Sequence, residues 1–207
     1  MALPAYIDAT TGAITDGEAW VGIAHETLSL PAATVTWIST DDGQVGDFSQ
    51  YMDLVIITYS RLTGTGGAVN TENKFNLNNN ADTSLYVTQQ LRADGGGSAH
   101  AGLDTGDGFG NCGQVPGSGA DANIFGCSVL TLFDVNSGKY KSSLCIYAAD
   151  TDGAGYTGIN GGTWKSQAPI TEIDIVNRSG SHAVGSMFSL FGVLPRMTPP
   201  SATVTVA

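Results

Sequence analysis

Residues 163–194 read TWKSQAPITEIDIVNRSGSHAVGSMFSLFGVL. Ile173 and Ile175 fall on one face of an extended chain, Glu172 and Asp174 on the other. That period of two marks a half-buried strand. From Asn177 to Gly185 the chain is rich in Ser, Gly and Asn, which turn it. Met187-Phe188-Ser189-Leu190-Phe191 then returns apolar on both faces, as a strand covered on both sides does. The stretch therefore predicts a closing hairpin. Pro195, Pro199 and Pro200 follow, and proline cannot extend a central strand, so the domain is expected to close near Leu194.

Working outward, the same pattern recurs. Tyr51 to Tyr59 (YMDLVIITY) holds the β-branched run Leu54-Val55-Ile56-Ile57, which favours a central strand over a helix. Strand-like segments also run from Trp20 to Ile38, over Lys74-Phe75-Asn76-Leu77, from Leu85 to Leu91, from Ile124 to Phe133 and from Tyr140 to Ala148. Asn136-Ser137-Gly138 makes a hairpin of the last two. Asp41-Asp42-Gly43 and Asn78 to Asp82 read as turns. Residues 93–121 and 150–162 are rich in Gly and Asp and are expected to be long loops. No segment carries a sustained 3.6-residue period. The sum is an all-β fold of eight to ten strands, a single jelly-roll-like β-sandwich over residues 19–194. Residues 1–18 form an N-terminal arm with apolar points at Leu3, Tyr6, Ile7 and Ile14. Residues 195–207 form a Pro-containing tail.

A chain of 207 residues is long enough to bury a sizeable core. Hydrophobic residues make up 42% and charged residues only 13%, so Ser, Thr, Asn and Gly must carry the solubility. The net charge of −11 opposes binding to nucleic acid, whose affinity rests on Lys and Arg at phosphates, and to anionic lipid. No apolar run reaches the length of a membrane-spanning helix. The start of the chain has neither the basic stretch nor the apolar core of a signal peptide. Synthesis in a reducing cytosol is therefore expected, with Cys112, Cys127 and Cys145 as free, partly buried thiols. A Cys112–Cys127 bridge is the alternative. Their spacing matches no zinc pattern.

The order of these features resembles a family of tailed-bacteriophage virion proteins. The likeness runs from about residue 45 to 194. It is carried by Tyr51-Met52-Asp53-Leu54 through Arg61, by Lys74-Phe75-Asn76 to Tyr86, and by a closing set. That set is Trp164, Ile170-Thr171-Glu172-Ile173, Ser179-Gly180-Ser181 and Gly185-Ser186-Met187-Phe188-Ser189-Leu190-Phe191-Gly192. The chain departs from the pattern at residues 93–121 and after Leu194. The resemblance implies a virion component assembled in the host cytoplasm: a capsid decoration (cement) protein, or a tail or tail-fibre module that binds host-surface glycan. It implies a homo-oligomer, a trimer being one arrangement, with the major capsid protein or other virion subunits as partners. Leu3, Tyr6, Ile7 and Ile14 are the expected attachment points.

Catalytic constellations are sparse. No G-x-S-x-G elbow occurs. Ser98 lies two residues from His100, but in a GGGSAHAG context that reads as a flexible loop. His100, His25 and His182 are all expected to be exposed. Asp104 with Asp107, and Asp150 with Asp152, could pair as glycosidase carboxylates or as calcium ligands. The distal acidic ligand of a calcium loop is missing, and Asp beside Gly is first a turn former. Trp20, Trp37 and Trp164 could stack on sugars, though at least two of them suit a core or an interface better. The sequence thus predicts a non-enzymatic protein with no catalytic, cofactor or metal residues. A glycan hydrolase is the weakest rival.

Overall fold

The computed structural model describes residues 20–64, 66–177 and 179–194. Leu3, Tyr6, Ile7, Ile14 and the Pro-containing tail lie outside the described residues. Among those described there is no α-helix, and the one helical piece is a 3-10 turn at Phe48–Gln50. The strands are β1 (Trp20–Thr27), β2 (Thr34–Ile38), β3 (Asp53–Ser60), β4 (Leu62–Thr63), β5 (Asn70–Leu77), β6 (Tyr86–Asp94), β7 (Ala99–Thr105), β8 (Gly110–Pro116), β9 (Gly126–Phe133), β10 (Lys141–Ala149), β11 (Tyr156–Trp164), β12 (Glu172–Val176), β13 (Ser181–His182) and β14 (Met187–Val193).

They form antiparallel sheets. An eight-stranded sheet runs β1-β14-β3-β9-β10-β11-β6-β7, and a four-stranded sheet runs β2-β12-β5-β8. A two-residue ladder, β13-β4, closes one side. The two larger sheets share one core. Leu54, Ile56, Leu130, Leu132, Tyr147, Phe188 and Leu190 enter it from the eight-stranded sheet. Val35, Phe75, Leu77, Ile173 and Ile175 enter it from the four-stranded sheet. The period-two reading is borne out at its strongest points: Leu54, Ile56, Ile173, Ile175, Phe188 and Leu190 are each 0% exposed. At 25 cal/mol per Å², each such side chain contributes roughly 1.5–3 kcal/mol.

Three expectations need correction. First, the closing hairpin does not exist. β12 pairs with β2 and β5, whereas β14 pairs with β1 and β3. The chain between them crosses from one sheet to the other. It is anchored on the way by Asn177, whose backbone N donates to Ala33 O and whose Nδ2 donates to Glu72 O. Second, residues 93–121 are not one long loop. They complete β6 and contain β7 and β8, so the strand count rises above ten. β8 is buried along its whole length because it faces aromatic rings. A Cβ at Gly110 would overlap the Phe75 ring, and Gly113 (φ +105°) lies against the ring of Tyr147. Third, residues 150–162 are not one long loop: from Tyr156 on they belong to β11, an interior strand between β10 and β6. In both segments Gly permits close packing where the sequence suggested only looseness.

Candidate functional site

The outward face of the eight-stranded sheet is the most unusual surface of the molecule. Register sets Ile57 opposite Val129, Val129 opposite Ile146, Ile146 opposite Ile159, and Ile159 opposite Leu91. Directly opposite residues share a face. Aliphatic side chains from β3, β9, β10, β11 and β6 therefore form one unbroken row across the sheet. All are exposed, Ile146 and Leu91 by 57% each. One flanking row runs Tyr59, Cys127, Ala148, Thr157, Ala93, and the other runs Val55, Thr131, Leu144, Gly161, Gln89. Aromatic rings widen the face at its ends. Phe125 stacks on Tyr59 at 5.1 Å, and Trp20 lies 6.1 Å from Phe191.

Charge avoids this face. Along the strands of this sheet Glu26, Arg92, Asp94, Asp104 and Lys141 fall on the inward alternation, in register with Phe188, Gly158, Tyr156, Thr88 and Trp164. The carboxylate on the outward alternation is Asp53, at the first residue of β3, where its Oδ1 accepts from the backbone N of Asp134 at 2.8 Å. In a chain of net charge −11, a wide face with no lysine, arginine or central carboxylate is a local exception. Contiguous exposed apolar area of this kind marks an interaction surface.

The ionisable groups gather elsewhere. Lys74, on the outward side of β5 and only 5% exposed, is ringed by three carboxylates. Its Nζ lies 2.7 Å from Asp104 Oδ2, 2.9 Å from Glu72 Oε2 and 2.9 Å from Asp107 Oδ2. Burial alone would lower its pKa. The hydrogen bonds to Asp104, Glu72 and Asp107 outweigh that and hold it above the ordinary lysine value. Asp104 and Asp107, weighed above as metal or glycosidase carboxylates, are thus turned onto an ammonium group. Asp150 and Asp152 form a local turn, with Asp150 Oδ1 accepting from the backbone N of Asp152 at 3.0 Å. Among the described residues no group of three or more His, Cys, Asp or Glu side chains could hold a metal.

The histidines separate into three environments. His100 belongs to β7, not to a flexible loop. Its Nε2 pairs with Asp94 Oδ2 at 2.9 Å while Asp94 Oδ1 accepts from the backbone N of Ser98. Ser98, His100 and Asp94 do meet, but the carboxylate braces the β6–β7 turn through the Ser98 backbone. The bond to His100 is the main reason the Asp94 pKa falls below the usual carboxylate value. His25 is exposed as expected, bonded to Ser189 Oγ and Thr27 Oγ1. His182 reverses its expectation: it is 0% exposed and edge-on to Phe188 at 4.9 Å. Desolvation lowers its pKa to about 4.

The three cysteines are free. Cys112 and Cys145 are buried, with Cys145 Sγ 3.1 Å from the Cys112 carbonyl oxygen. Desolvation raises the Cys145 pKa to about 12, and burial also raises that of Cys112, which favours the neutral thiol at both. Cys127 is exposed on the apolar face. Trp164 is core, Trp37 packs against the core, and Trp20 stands on the apolar face.

Sequence reasoning missed the apolar row, although its signal was present. Runs such as Leu54-Val55-Ile56-Ile57 and Met187 to Phe191 do not alternate and so predict cover on both faces. The fold covers Val55, which is 1% exposed, but leaves Ile57 and Met187 open. No family model matches the chain, and no curated protein matches it.

Proposed function

We propose that this chain is a non-enzymatic structural subunit of a bacteriophage virion, most specifically a capsid decoration protein of jelly-roll type. The observation that carries the reading is the uncharged apolar face of the eight-stranded sheet. Ile57, Val129, Ile146, Ile159 and Leu91 stay exposed within the single chain, as the contact surface of an assembly subunit does. The virion context comes from the resemblance at Trp164, Ile170 to Ile173 and Gly185 to Gly192.

Decoration works by adding contacts. Each copy spans neighbouring capsid subunits and buries about 1,600 Å² per contact, and repetition over the shell supplies avidity. Opening the shell then requires breaking those contacts as well. In this reading the major capsid protein is the partner, and Leu3, Tyr6, Ile7 and Ile14 supply the attachment.

A second reading, a tail or fibre module that binds host-surface glycan, is favoured by one feature. A cleft of about 350 Å³ on the outward side of the smaller sheet is lined by Thr36, Asn76, Asn79, Phe109 and Asp174. Hydroxyl, amide, carboxylate and aromatic groups converge there, as polar ligand sites require.

Copy number in purified particles separates the two. Quantitative mass spectrometry is expected to find on the order of hundreds of copies per virion, as a repeated shell contact demands. A few tens or fewer would favour the tail reading, and absence from particles would end both.

A further inference from the structure

We propose that the outward face of the eight-stranded sheet is covered by the same face of a second copy of this chain, in an isologous contact centred on Ile146. This rests on the reading of the chain as an assembly subunit and names the partner at that surface.

Three observations select a second copy. The first is size. Eight strands at about 4.8 Å spacing, over about six residues of 3.3 Å rise, cover about 700 Å². That is close to the roughly 800 Å² per partner of a standard stable interface. The second is charge. Two chains of net charge −11 repel wherever their acidic surfaces meet, and this face is the broad area where they can touch without apposing carboxylates. A basic partner would gain nothing from a face with so little charge. The third is symmetry. The row Ile57, Val129, Ile146, Ile159, Leu91 has Ile146 at its middle. A two-fold axis lying in the plane between two such faces and passing Ile146 sets Ile146 over its own copy and the rest of the row over aliphatic partners. The small residues of the flanking rows, Ala148 and Gly161 among them, let two sheets approach to the ~10 Å of face-to-face packing.

The contact supplies what the strand sequences lack, a second apolar layer. Cys127 lies in the face, whereas Cys112 and Cys145 are buried, so its alkylation rate reports on cover without any substitution.

The test uses the full chain in solution. Sedimentation equilibrium of the unaltered protein is expected to give twice the 21.3 kDa chain mass. Ile146→Asp, which sets two carboxylates against each other at the axis, is expected to give the single mass with an unchanged circular dichroism spectrum. Alkylation of Cys127 is expected to slow as the concentration of the unaltered chain rises. Single mass for the unaltered chain up to about 100 µM, far weaker than specific interfaces of this size, overturns the proposal. So does a folded Ile146→Asp variant that keeps the double mass. Should that variant fail to fold, Cys127 decides: alkylation independent of concentration overturns self-pairing. Protection of Cys127 in particles but not in concentrated solution also overturns it, assigns the face to a different virion subunit and leaves the virion reading standing. Copy number per particle tests that reading separately.

Discussion

Lys74 Nζ donates to Asp104 Oδ2 at 2.7 Å, and this contact ties β5 of the smaller sheet to the end of β7 at the far edge of the larger one. Glu72 and Asp107 complete the ring. The Lys74 side chain is 7% exposed and those of its partners 21–39%, so the cluster is partly screened. Removing the ammonium leaves three carboxylates crowded together. Lys74→Met is expected to lower the unfolding free energy by about 2–3 kcal/mol, below the full cost of breaking a buried pair. Denaturant titration checks it. An unshifted midpoint would mean that the loop holds the sheets together without the ion pairs.

Gly113 tests whether a glycine-rich stretch is a packed strand. It sits at φ +105° against the Tyr147 ring. Gly113→Ala combines an unfavourable backbone conformation with overpacking and is expected to cost about 2–4 kcal/mol. Gly97, with φ +85° and nothing within 4 Å of a Cβ, is the control: Gly97→Ala carries the backbone strain alone, about 1–2 kcal/mol. Equal effects at the two sites would rule out close packing at β8.

His182 gives a pH dependence with a definite sign. Its folded pKa is lowered from 6.5 to about 4 by burial. The unfolded chain therefore takes up a proton below pH 6.5 that the native state resists. The stability associated with the neutral ring is fully present above pH 6.5 and falls away as pH drops toward 4, on the order of 3 kcal/mol in total. The difference in unfolding free energy between the native protein and His182→Leu should vary across pH 6.5–4 and level off outside it. A flat difference would place the imidazole in contact with water.

Attachment is tested by deletion. β1 begins at Trp20, and the core residues among those described run from Val21 to Leu194. Removing residues 2–18 is expected to leave a folded, soluble domain that no longer joins the virion. Ordering a free segment costs about 1–2 kcal/mol per residue, which side chains such as Leu3 and Ile14 can offset only when docked. Incorporation at normal copy number would move the anchor to the sandwich loops or to the tail from Pro195. Failure to fold would make the arm part of the domain.

By itself the sequence determined what local rules can determine. Alternation put Leu54, Ile56, Ile173 and Ile175 inside. The Asn136-Ser137-Gly138 turn made a hairpin of β9 and β10. Each of these depends on residues close together in the chain. The tertiary structure decided the rest, because strand pairing is a choice among distant partners. β12 and β14 have the strand patterns and the intervening turn of a hairpin, yet β12 selects β2 and β5 while β14 selects β1 and β3. The strands hidden at Gly110 to Pro116 and Tyr156 to Trp164 depend on rings and neighbours supplied by other strands. His182 is buried because Phe188 and the β4 ladder close over it. The apolar row needs five strands in register before it exists. Each residue in it reads as ordinary core in sequence, and only the assembled sheet leaves one side of that core open.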